Sequence, residues 1–168
     1  MVTHLLVLGL FPAAMAFAAA SDLVSMTISN RVSIALVLGF FLVAALVGMP
    51  LVEIGRHVLA FLLVLAFSFA FFARGWIGGG DAKLAAATAL WIGFPLLFEY
   101  LMVAAIIGGA MTLLLLELRR VPLPAALAGQ RWITRLHSIE NGIPYGIALA
   151  AAGLVVYSET PFMRALAA

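Results

Sequence analysis

The sequence predicts an all-α protein, a polytopic membrane bundle of six transmembrane helices in one membrane-embedded domain over residues 1–168. Hydrophobic residues make up 66% of the chain and charged residues 10%, whereas a typical soluble domain is about 45–50% apolar and about 25% charged. The mean hydropathy is +1.23. A single core of this size has too little interior to hide so much apolar surface from water, so the composition requires a lipid environment.

Three apolar segments in the first half of the chain each approach the roughly 20 residues that a spanning helix needs. Asp22, Pro50 and Arg74 follow them and mark their ends. A cleaved signal peptide is the alternative for the first segment, but the four residues before it contain no lysine or arginine. The predicted spans cover residues 5–20, 32–49 and 57–73.

The apolar region that starts at Asp81 is too long for one spanning helix, which rises 1.5 Å per residue. Gly93 and Pro95 interrupt it with a natural helix break. The region is therefore predicted to form two helices, a short fourth span over residues 81–92 and a fifth over residues 96–118.

A polar loop over residues 119–141 separates the fifth span from a sixth, which is predicted over residues 143–157. Asn141 is a candidate N-cap for that helix, and Pro144 would lie in its first turn, where a missing N–H is harmless. Within the loop, basic and apolar residues alternate at helical spacing over residues 131–136 and predict a short helix on anionic lipid.

The basic residues predict the orientation of the bundle, because cytoplasmic loops collect lysine and arginine. With six spans, seven of the nine basic residues fall on one side, which is therefore the predicted cytoplasmic side, and both termini face away from it. The other side holds only Arg56 and Arg164. The seven are Arg31, Arg74, Lys83, Arg119, Arg120, Arg131 and Arg135.

Composition also excludes several classes of function. The formal charge is only +2, and the longest basic run is the pair Arg119 and Arg120, so a nucleic-acid partner has no support and the lipid bilayer is the expected partner. The chain has no cysteine, which removes thiolate metal sites and cysteine nucleophiles. His4, His57 and His137 are scattered over both sides, so no metal site and no cofactor is predicted.

Two carboxylates from distant parts of the chain are expected at one depth, the cytoplasmic boundary, where Asp22 ends the first span and Asp81 starts the fourth. Neighbouring carboxylates cannot both ionise cheaply, so such a pair shares a proton. The ionised member can then activate water while the protonated member binds the developing oxyanion, as in aspartic proteases. The alternative is that both are helix-boundary residues, Asp81 being favourable near a helix N-terminus.

The sequence around Asp81 favours the catalytic interpretation. Three glycines precede it, and their missing Cβ atoms allow a substrate strand or helix to approach closely. The run Gly78-Gly79-Gly80-Asp81 resembles the Gly-x-Gly-Asp motif of intramembrane aspartyl proteases. With its flanking residues, from Arg74 to Leu84 and including Lys83, it is similar to the type IV prepilin peptidase version of that motif.

Two further segments resemble the same family. Asp22 is followed six and eight residues later by Ile28 and Asn30, as the family pattern requires, although Ser29 stands where the family often has proline. Near the start of the last span, the third motif is similar to the family's final helix and consists of Pro144, Tyr145 and Gly146.

The resemblance implies an aspartic endopeptidase that cleaves the leader of prepilins or pseudopilins at the cytoplasmic face, with Asp22 and Asp81 as its catalytic pair. The chain looks like the short Tad/Flp-pilus type, and pilus-assembly machinery is an expected partner. Larger members carry a cytoplasmic insertion with paired cysteines and also methylate the new N-terminus. This chain has no cysteine, so the resemblance implies cleavage without N-methyltransferase activity.

The remaining acidic and basic residues near the spans are given smaller roles. Lys83 would point some 200° away from Asp81 on a regular helix, and it serves either as a membrane-boundary anchor or in the electrostatics of the site. Glu140 is expected to be a solvated loop residue, Glu99 to lie near the outer surface, and Glu117 to be a boundary residue beside the arginines.

A small transporter or channel subunit is the alternative from another class, with Asp22 and Asp81 binding a cation or relaying protons. A structural subunit of a secretion complex is a third, in which neither aspartate matters. The position of both aspartates at one boundary, rather than in the middle of the membrane, favours the protease.

Overall fold

The computed structural model describes residues 2–167, and within them the chain forms eight helices and no strand, which confirms the predicted all-α membrane bundle. α1, α3 and α4 are long and apolar enough to cross a membrane, and α2 and α7 are shorter apolar helices. The number of crossings, six, stays a prediction. The helices are α1 (Val2–Ser25), α2 (Asn30–Leu46), α3 (Leu51–Ala73), α4 (Gly79–Arg120), α5 (Ala125–Ala128), α6 (Arg131–His137), α7 (Gly146–Tyr157) and α8 (Pro161–Ala167).

The first helix continues beyond the end expected from hydropathy. α1 runs to Ser25, so Asp22 lies in its last turn rather than after it. Met26 then takes a left-handed conformation with φ 53°, and Ser29 caps α2 by accepting from the backbone N–H of Arg31 at 3.3 Å. The helix can be longer than the predicted span over residues 5–20, because loss of hydropathy marks where lipid ends and a helix can extend into the polar boundary.

The predicted break in the long apolar region is confirmed at Gly93, whose backbone angles of φ 67° and ψ 180° are not helical. The break divides α4 into two segments, which we name α4a (residues 79–92) and α4b (residues 94–120). The last carbonyls of a helix lack helical partners, and the ring Nδ1 of buried His57 bonds one of them, the Leu90 oxygen, at 2.7 Å. His57 therefore has a structural role that the sequence did not indicate.

After the break, α4b folds back along α4a. Ala85 in α4a lines the same cavity as Leu101 and Thr112 in α4b, which requires the two segments to form a hairpin. Every residue from Leu84 to Gly93 is buried. α4a can be short for a span because other helices surround it.

The chain after α4 differs from the predicted polar loop, because it contains α5 and α6. The helix predicted over residues 131–136 is confirmed as α6, whereas α8 was not predicted. The N-cap assignment of Asn141 was wrong: its side chain donates to the Arg135 oxygen at 3.0 Å, and Tyr145 is the residue before α7. Pro144 disfavours a helical conformation at the residue before it, so α7 begins later than expected.

Candidate active site

Asp22 is held by the start of the last long helix of the bundle. Its side chain is buried, with 4% exposed, and its Oδ2 accepts the backbone N–H of Gly146 at 2.7 Å. Gly146 is the first residue of α7, where backbone N–H groups have no helical acceptor. The carboxylate therefore joins the last turn of α1 to the first turn of α7.

Asp81 lies in the first turn of α4a, directly after the glycine run. Its carboxylate bends back over the run, so a Cβ atom at Gly78 would come within 2.9 Å of Oδ2. Any other residue at position 78 would displace this carboxylate. The glycine therefore leaves space for the Asp81 side chain itself, in addition to any space for a substrate.

The structure brings the two aspartates to one cavity. Asp22 and Asp81 both line a space of about 260 Å³, together with the turn after α1 and the glycine run. The two side chains are close enough for their charges to interact. A peptide carbonyl and a water molecule placed in this cavity would have a carboxyl group from α1 and another from α4a within reach. The other lining residues are Met26, Thr27, Ile28, Gly78, Gly79 and Gly80.

Ile28 is packed between two glycines from distant parts of the chain. A Cβ atom at Gly80 would lie 3.1 Å from the Ile28 Cβ, and one at Gly146 would lie 2.5 Å from its Cδ1. An added Cβ atom at either glycine would force Ile28 to shift, so the two glycines let the turn after α1, α4a and α7 pack closely around it. The three segments that resemble the family motifs thus pack around one isoleucine.

Asn30 and Lys83 contact each other next to the site. The Lys83 Nζ donates to the Asn30 Oδ1 at 2.8 Å, which joins α4a to the first residue of α2. Lys83 is not among the residues that line the cavity of the two aspartates. Its position supports a role in holding α2 against α4a.

Tyr145 and Asp81 line a second, larger cavity of about 810 Å³. The Tyr145 ring lies directly on the backbone of Gly108 in α4b, where a Cβ atom would collide with it. The third motif therefore has two contacts of different kinds: Gly146 holds Asp22, and Tyr145 packs against α4b. Pro144 precedes both and ends the loop.

Two arginines for which the sequence indicated no contact with the site hold the loop near it. Arg119 donates to the oxygens of Leu136 and Gly142 at 2.8 and 2.9 Å, and Arg135 donates to the Val24 oxygen at 3.0 Å. Their partners are backbone carbonyls, which every residue has. No sequence pattern could have identified these contacts.

Glu117, Glu99 and His57 are not among the residues that line the cavity of the two aspartates. Glu117 forms an exposed ion pair with Arg120 at 2.8 Å. Glu99 follows the break in α4, and His57 lies at that end of the bundle too. Within residues 2–167, no three His, Asp or Glu side chains are grouped so that they could hold a metal ion.

The chain is similar to a known protein family. A model of the type IV leader peptidase family matches residues 9–113, which is more than half of the chain and includes Asp22 and the run from Gly78 to Lys83. Neither a curated protein nor a solved structure matches significantly. The matched region ends before Pro144. The assignment of the third motif to the site therefore rests on the hydrogen bond from the Gly146 N–H to Asp22.

Proposed function

The chain belongs to the type IV leader peptidase family and is a protease of that kind, built as a helical membrane protein, and from that premise we propose its specific reaction. We propose that it is an aspartic endopeptidase that removes the leader peptide of Flp-like prepilins or pseudopilins, with Asp22 and Asp81 as the catalytic pair. The observation that carries the proposal is the single cavity lined by both carboxylates.

In the proposed mechanism, Asp22 is the ionised member of the pair. A carboxylate that accepts a backbone N–H is stabilised in its charged form, and Gly146 donates such a bond to Asp22. Asp22 takes a proton from water as the water oxygen attacks the scissile carbonyl carbon. Asp81 is protonated and donates a hydrogen bond to the developing oxyanion.

The intermediate then collapses. The carbonyl re-forms, the carbon–nitrogen bond breaks, and the leaving nitrogen takes the proton held by Asp22, which leaves a new carboxyl group and a new amino terminus. No covalent intermediate is needed. The contribution of the protein is to hold two carboxyl groups from different helices on one peptide bond.

The direct test is cleavage by the purified protein in detergent or lipid vesicles. We expect a candidate Flp-like pilin to be shortened at one peptide bond near its N-terminus, which mass spectrometry of both fragments would locate. An intact pilin under conditions in which the enzyme remains folded would contradict the proposal and favour the transporter alternative.

We propose that cleavage takes place at the cytoplasmic face of the bacterial inner membrane. The contacts of Lys83, Arg119 and Arg135 lie near the aspartates, whereas Arg56 and Arg164 line a cavity beside the break in α4. This distribution agrees with the positive-inside rule. Cysteines placed singly at Arg131 and Glu53 in this cysteine-free chain should be labelled from the inside and the outside, respectively. Labelling of both from the outside would contradict the six-span model and the cytoplasmic position of the site.

We further propose that the enzyme does not methylate its product, because the chain has no cysteine pair of the kind that larger family members carry. Pilin processed in cells with this protein as the sole pilin-processing enzyme should have an unmodified new amino terminus. Mass spectrometry decides the matter, and an added methyl group would contradict the short-form assignment.

A further inference from the structure

The larger cavity next to Asp81 continues the site away from the scissile bond. Asp81 lines both the cavity of about 260 Å³ that it shares with Asp22 and the cavity of about 810 Å³ beside it. A peptide bond positioned between the two aspartates therefore has a neighbouring space large enough for several more residues, since ligand pockets commonly have volumes of about 300–1,000 Å³.

The cavity is elongated along α4b. Leu101, Thr112 and Arg119 all line it, and their spacing places them on one face of the helix. With a rise of 1.5 Å per residue, Leu101 and Thr112 are about 16 Å apart along the helix axis. Gly108 lies on the same face, and the Tyr145 ring packs on it. The cavity is therefore a groove that follows a membrane helix.

The walls of this groove are largely apolar. Its basic residue, Arg119, and the amide of Asn141 already donate to backbone carbonyls. Asp81 is the one acidic residue in its lining. The groove is therefore suited to an apolar, uncharged segment that reaches the dyad at one end. Its apolar walls are Phe71, Trp76, Ile77, Ala85, Leu101, Ile143 and Leu149.

We propose that this groove binds the apolar helical segment of the peptide substrate that adjoins the scissile bond, an inference that rests on the proposed function. Ala85 and Thr112 determine its width, because a larger side chain at either position would enter the cavity. The occupant is a substrate helix because the groove is continuous with the catalytic cavity and runs along the bundle. Another apolar cavity, of about 360 Å³ between α2 and α3, is not lined by either aspartate and therefore serves as a comparison site.

Crosslinking of adjacent residues tests the groove. Thr112→Cys places a thiol in it, whereas Leu113→Cys places one on the neighbouring residue, which is 68% exposed on the bundle surface. Each is combined with Asp22→Asn, so that a pilin with one cysteine in its apolar segment stays uncleaved. We expect a disulfide from Thr112→Cys and none from Leu113→Cys.

Ile34→Cys probes the cavity between α2 and α3. Crosslinking from that position in place of Thr112→Cys, equal crosslinking from Leu113→Cys, or no crosslinking from any of the three would overturn the groove assignment. If the unaltered enzyme cleaves the pilin while crosslinking fails, only the groove is wrong. If the unaltered enzyme does not cleave the pilin, the proposed function is wrong, and so is the assignment of the groove to substrate binding.

Kinetics supply a second readout. Thr112→Phe should lower kcat/KM by at least about tenfold by obstructing the groove, whereas Leu113→Phe should stay within about twofold of the parent. The loss should appear mainly in KM, because the aspartates are unchanged. Thr112→Leu replaces Thr112→Phe if the larger side chain prevents folding. Equal kinetics for the position 112 and 113 variants would contradict the proposal.

Discussion

The two segments of α4 have similar apolar compositions but different surroundings. In α4a every residue from Leu84 to Ile92 is buried by other helices, whereas most of α4b faces the surface of the bundle. Five of the 14 residues of α4a are alanine, whereas α4b is rich in leucine. Small side chains let helices approach closely in a membrane, and large ones fill contacts with lipid. The run of alanines therefore marks the part of α4 that other helices enclose, although both segments are apolar.

The largest expected effect is a loss of cleavage, which should follow from changing Asp81 in α4a but not from changing Glu117 in α4b. Asp81→Asn and Asp22→Asn each preserve side-chain shape but remove a proton-transfer group, and cleavage should fall by at least about a thousandfold, with the double variant no worse. Initial rates with purified pilin provide the measurement. Glu117→Gln in α4b is the control and should retain most activity, because its ion pair with Arg120 is exposed.

Retention of near-parental cleavage by either aspartate variant would remove that residue from catalysis. Both variants should be present in the membrane at parental levels, since asparagine is close in size to aspartate. Protein quantified by immunoblot distinguishes lost chemistry from lost protein.

A smaller effect is expected from one substitution made in both segments. Ala86 in α4a is completely buried, so Ala86→Leu should overpack the bundle and cost about 1–3 kcal/mol or more of folding free energy. Ala105 in α4b is exposed, and Ala105→Leu should be nearly neutral. Thermal unfolding midpoints in detergent compare the two. Equal destabilisation would show that α4b is as enclosed as α4a.

The smallest effect concerns two adjacent glycines within α4b. A Cβ atom at Gly108 meets the Tyr145 ring, whereas one at Gly109 has nothing within 4 Å. Gly108→Ala should cost about 1–3 kcal/mol by displacing the ring. Gly109→Ala should be neutral or stabilising by up to about 1 kcal/mol, since alanine suits a helix interior better than glycine. The same unfolding assay applies, and identical midpoints would contradict the contact.

Local chemistry allowed much of the helix pattern to be predicted. The break between α4a and α4b follows from Pro95 and Gly93, and the position of α6 follows from helical spacing. The ends of α1 and α7 were less predictable. α1 continues through Asp22 because polar residues are tolerated at a membrane boundary, and α7 begins at Gly146 because Pro144 and the contact of Asn141 with Arg135 shape the chain before it.

By itself, the sequence determined that this protein is a helical membrane protein and where its longest apolar helix breaks, and it predicted that Asp22 and Asp81 lie near helix ends at one depth. These properties follow from composition and short-range spacing. Only the tertiary structure decided that Gly146 holds Asp22, that Ile28 fits between Gly80 and Gly146, and that Arg119 binds loop carbonyls. Almost every residue has a backbone donor and an acceptor. Helix packing decides which of them form hydrogen bonds with side chains, so these contacts cannot be predicted from the sequence.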